Sequence, residues 1–160
     1  MINRRYLESI RRRKRMFRMF VIFLLIVSFS IILMPIGSLN NGRYIMYLAG
    51  AAFWIGFIGA VCMAVKINNS RKSNYQFNEK YGGVKQLGLI HFFQNKDAVF
   101  IDVIMLVAVT GLVLAKLFVN YLIVIFIFLA IFVFAFGMHC MLNGINYKYI
   151  THIVRRDEES

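Results

Sequence analysis

Four apolar stretches, each long enough to cross a lipid bilayer, take up most of the 160 residues of this chain. They run over 19–36, 44–65, 98–115 and 121–142. A hydrocarbon core about 30 Å thick takes roughly 20 mainly apolar residues per helix. The spacing therefore predicts an all-α integral membrane protein, a bundle of four transmembrane helices in one membrane domain over 19–143. Composition agrees: 60% of residues are hydrophobic and 16% charged, against about 45–50% and 25% for soluble domains. Little chain is left for a separate soluble unit.

The placement of charge orients this bundle. Of 19 Lys and Arg residues, all but Arg43 and Lys116 fall in 1–18, 66–97 and 144–160, three segments on the same side of the predicted spans. Positive charge stays on the cytoplasmic side, so both termini are expected inside. The first span follows a basic segment but continues without a clean small-residue cleavage site. It reads as a retained anchor, not a signal peptide.

Residues 1–18 form a basic N-terminal segment in which Ile2, Tyr6 and Ile10 recur every four residues, giving any helix there one apolar edge. Arg11, Arg12, Arg13, Lys14 and Arg15 suit anionic lipid headgroups, at about 1 kcal/mol per basic residue near the surface. A run like this also resembles a nucleic-acid patch. Its position against a span accounts for it without nucleic acid, and none is expected as a partner.

Pro35 and Gly37 punctuate the end of the first span. The outward loops that follow the first and third spans are too short to carry a binding domain. The cytoplasmic loop, 66–97, divides in two. Residues 68–81 are polar, basic and read as solvated. Residues 84–95, with Val84, Leu87, Leu89, Ile90, Phe92 and Phe93, are too apolar for open solvent and too short to span. They predict an interfacial helix, after which Asn95 or Asp97 is placed to cap the third span.

In the second span Ala52, Gly56, Ala60 and Ala64 recur every four residues, with Ala49 and Gly59 widening the stripe. Small residues at this spacing let helix backbones approach closely where lipid removes the usual hydrophobic drive. Packing within the chain's own bundle is the favoured use of the stripe, and a homodimer seam the second. The phenylalanines of the fourth span, Phe126, Phe128, Phe132, Phe134 and Phe136, point to several faces and read as lipid contact and bundle filling. Ser28 and Ser30 can each bond back to a carbonyl of their own helix.

Asp102 is the one acid within a span, and an ionisable residue there is a functional hypothesis by default. Helix three enters from the side to which helix four returns, which places Asp102 and His139 at similar depth. His139, Asn143 and Asn146 form one polar stripe at i, i+4 and i+7. If it faces Asp102, the chain holds an inward-opening polar site, and an acid beside an imidazole is chemistry that proton relays use. A hydrogen-bonded clasp between two helices is the plainer use of the same residues. Cys62 and Cys140 are weak additional metal candidates at that depth; adjacent His139 and Cys140 diverge by about 100° around a helix, so no metal site and no cofactor are expected. No phosphate-binding loop, dinucleotide fingerprint or zinc-protease helix is present.

Function is expected to be association: an accessory, regulatory or immunity-type subunit in a bacterial cytoplasmic membrane, in contact with anionic lipid and with a membrane-protein partner or further copies of itself. The alternative is an oligomeric transporter or channel with a proton- or cation-sensitive Asp102/His139 site. An intramembrane enzyme using Cys140 or His139 ranks below both.

Overall fold

A computed structural model describes residues 4–39, 42–80, 92–93, 98–119 and 121–143. Among them the chain is helical, with no strand. The helices are α1 (Arg4–Leu39), α2 (Arg43–Lys80), α3 (Val99–Leu114) and α4 (Leu122–Asn143), and α3 runs on into a π-helical turn, Ala115–Val119. Each contains a segment long and apolar enough to cross a membrane: Lys14–Leu39, Arg43–Ile67, Val99–Val119 and Leu122–Leu142. The described residues thus form a helical protein with four helices long and apolar enough to cross a membrane.

Two helices outrun their spans. At 36 and 38 residues, α1 and α2 measure about 54 and 57 Å at 1.5 Å per residue, well beyond a 30 Å core. Helix α1 takes in most of the basic N-terminal segment. Helix α2 continues through 68–80, where the sequence reading placed a solvated loop. No Gly or Pro interrupts that stretch before Gly82, and Ile67, buried against Met16, Phe17 and Phe20, anchors its start. Pro35 likewise fails to end α1, which carries on to Leu39. Its ring removes one backbone donor, a loss tolerated in the last turns of a membrane helix.

Helices α1 and α2 close as a tight hairpin, in which the Gly42 N–H donates to the Gly37 carbonyl at 2.9 Å. A Cβ on Gly37 would sit 3.0 Å from the Met46 nitrogen, so a side chain there would push the turn open by a few tenths of an ångström. The helices pack in the order α2–α1–α4–α3. Among the described residues, α2 and α3 share no interface of comparable extent. Helix α1 is the central element: 39% of its span is buried, against 17% for α2.

A glycine marks each interface. A Cβ on Gly56 of α2 would lie 2.9 Å from Val27 Cγ2 and 3.0 Å from the Phe23 carbonyl oxygen of α1. One on Gly137 of α4 would lie 2.8 Å from both Leu24 methyls of α1, and one on Gly111 of α3 would enter the Phe128 ring of α4. From Gly56 to Ala64 the stripe in α2 therefore faces this chain's own α1: Ala60 is buried with Phe20 and Leu24, and Ala64 packs on the same cluster. Val27, Ile31 and Ala130 form a second cluster, with Phe126 and Phe53 packed onto it. Of the α4 phenylalanines, Phe126, Phe128 and Phe134 fill the bundle, while Phe136 is exposed.

Ser28 and Ser30 of α1 part company. Ser30 Oγ–H donates to the Ile26 carbonyl at 2.7 Å, as its position predicts. Ser28 Oγ is buried and has no hydrogen-bond partner.

Candidate functional site: the buried Asp102–His139 pair

Asp102 lies in the first turn of α3 and His139 in the last turn of α4. Both fall at the open end of the α3–α4 hairpin, the end shared with Lys14, Arg18 and Lys66. They are among the most deeply buried side chains described, 1% and 0% exposed. The connection between α3 and α4 is short, so the two helices run antiparallel side by side and bring these distant residues to one level.

The two make direct contact: His139 Nδ1 hydrogen-bonds to Asp102 Oδ1. Which of the two atoms donates depends on the tautomer of the imidazole. The other carboxylate oxygen is also engaged. Asp102 Oδ2 accepts the backbone N–H of Phe93 at 2.7 Å. The Phe92 ring then lies over the imidazole, with centroids 4.4 Å apart and planes within 15°. The Phe92–Phe93 corner thus covers both members of the pair.

The corner departs from the sequence reading. Phe92 and Phe93 form a turn, with Phe93 at φ 60°, so the interfacial helix expected over 84–95 does not run through them. The rest of that range lies outside the described residues. The carboxylate draws the Phe93 amide inward and the imidazole offers a flat face to Phe92, and these two contacts hold a turn in place of a helix. The residue at the N-cap position of α3 is neither of the two expected. It is Ala98, without a side-chain bond, and the carbonyl of Ala98 takes the Asp102 N–H at 2.9 Å. Asn95 and Asp97 lie outside the described residues.

Of the remaining candidates, Asn143 is the last residue of α4, one helical turn beyond His139, and Asn146 lies outside the described residues. Cys62 is exposed on α2 and Cys140 half-buried on α4, both as free thiols. Among the described residues, no three His, Cys, Asp or Glu side chains gather as metal ligands would. Arg12, Lys14 and Arg15 are exposed on α1; the side chains of Arg11 and Arg13 lie outside the description.

Sequence reasoning missed Phe92 and Phe93 as parts of the site. The signal available was their apolar character beside an acid nine residues on, which does not distinguish a membrane anchor from a cover. Comparisons with family models, with curated proteins and with solved structures found no match to this chain.

Proposed function

We propose that this protein acts by association, as an accessory, regulatory or immunity-type subunit in a bacterial cytoplasmic membrane with both termini inside. The observation that carries this reading is how the polar residues are used. The one intramembrane acid among the described residues has both oxygens taken by the chain itself, one by His139 and one by the Phe93 amide, and the pair is buried beneath a phenylalanine ring. Such a constellation holds helices together and presents no open face to a substrate.

The inside location of the termini is supported by charge: among the described residues, every Lys and Arg except Arg43 and Lys116 lies in 4–18 of α1 or 66–80 of α2, at one end of that hairpin, a bias that the positive-inside rule reads as cytoplasmic. At that end, exposed Arg12, Lys14 and Arg15 suit contact with anionic headgroups.

A second reading is an oligomeric transporter or channel, favoured by one observation, the direct contact of an acid and an imidazole inside the spans. Purification from native membranes in mild detergent, with mass determination and identification of co-purifying proteins, separates the two. A stoichiometric second protein supports association with a partner. A homo-oligomer alone leaves self-association and the second reading to be separated by flux assays on wild type and Asp102→Asn.

A further inference from the structure

We propose that the Phe92–Phe93 corner is a releasable latch on the spacing of α3 and α4 at the end where Asp102 and His139 meet. Three observations meet at these two residues. The Phe93 amide is bound by a buried carboxylate. The Phe92 ring is stacked on a buried imidazole. The Phe93 backbone sits in the left-handed region, at φ 60°, which bulky residues rarely adopt.

The third observation makes the first two informative. A strained backbone persists only where its surroundings over-determine it, and such strain collects at clamps and switches. Here the bond to Asp102 and the stack on His139 oppose the strain at Phe93, so the seated and unseated corners differ by the balance of these terms. The two capturing side chains belong to different helices, Asp102 to α3 and His139 to α4. The corner can seat only where α3 and α4 bring that pair together. Coupling of this kind is reciprocal: whatever draws the corner out loosens the α3–α4 contact at this end, and whatever parts α3 from α4 frees the corner.

Release is physically accessible because Asp102 is in the first turn of α3, near the end of the span. Once uncovered, its carboxylate can reach water or a headgroup without crossing the hydrocarbon. Phe92 and Phe93 are themselves 40% and 52% exposed, so the corner seats at the surface of the bundle and does not have to be extracted from its core. The latch follows from this geometry and is independent of whether the protein acts by association.

The test uses the full chain in lipid nanodiscs, with Cys62 and Cys140 replaced by Ser and spin labels at the exposed positions Val103→Cys of α3 and Phe136→Cys of α4. Amide exchange at Phe93 is measured on the same protein. The chosen variant is Phe92→Ala, which removes the stacked ring and leaves Asp102, His139 and the Phe93 amide in place. Loss of one aromatic stack is expected to speed exchange at Phe93 by roughly two- to tenfold, and to broaden the 103–136 distance distribution with it. Asp102→Ala is expected to move both readouts further. Faster exchange with an unchanged distance distribution would overturn the proposal and leave the corner a passive cover. Unchanged exchange in Phe92→Ala would overturn it as well, since the ring would then not hold the corner.

Discussion

Three glycines on one helix separate what the α1–α2 interface costs from what a glycine costs by itself. A Cβ on Gly50 meets nothing within 4 Å, so Gly50→Ala gains helix propensity, about 0.5–1 kcal/mol, with no steric penalty. A Cβ on Gly59 would come 2.5 Å from the Phe23 ring, but a ring can swing aside. A Cβ on Gly56 would come 3.0 Å from the Phe23 carbonyl oxygen, with Val27 and Ile26 methyls at 2.9 and 3.1 Å. That oxygen is backbone and cannot turn away. The helices must part by several tenths of an ångström, enough to forfeit about a quarter of the dispersion energy of atoms in contact. Overpacking of this kind costs about 1–3 kcal/mol. Net of the propensity gain, Gly56→Ala is expected to fall about 2 kcal/mol below Gly50→Ala, with Gly59→Ala between them. The assay is reversible unfolding in mixed micelles, followed by the single tryptophan, Trp54, which lies on α2 against Phe53 and Phe57 with centroid distances of 5.8 and 6.1 Å. Equal stability of Gly56→Ala and Gly50→Ala would refute the packing of α2 on α1. A loss at Gly56 that grows on dilution would instead assign the stripe to a seam between copies.

Two further outcomes follow from the same structure. Ser28→Ala deletes a buried hydroxyl that has no partner and is expected to raise stability by about 1 kcal/mol, whereas Ser30→Ala, which loses a bond to Ile26, is not; the same unfolding assay decides. Single cysteines at Ser38 and Ser73, introduced without Cys62 and Cys140, test the orientation: an impermeant maleimide added to intact cells is expected to label position 38 alone, and label at 73 without permeabilisation would reverse the topology.

The helices were legible because an apolar run of span length has few other solutions in a chain this hydrophobic. Their ends were less so. The reading stopped α1 and α2 where apolar residues gave way to charged ones, but a helix outside the membrane needs no apolar run to continue, only the lack of a breaker, and 68–80 contains none. The similar depth of Asp102 and His139 was legible from antiparallel helices, but whether the two face each other was not. Helix periodicity says nothing about neighbours, so the order α2–α1–α4–α3 had to come from three-dimensional packing. The corner was illegible for a different reason. Phe93 occupies a backbone region that its own preferences disfavour, and the contacts described there come from Asp102 and His139, far along the chain.

The account rests on Asp102 and His139 holding helices and not lining a path. Proton and cation flux into sealed proteoliposomes, measured for wild type and Asp102→Asn at equal incorporation, tests this most directly. The account predicts flux at the level of protein-free vesicles for both. Wild-type flux well above that level, abolished in Asp102→Asn while fold and oligomer mass are unchanged, would contradict it and make the buried pair part of a transport route.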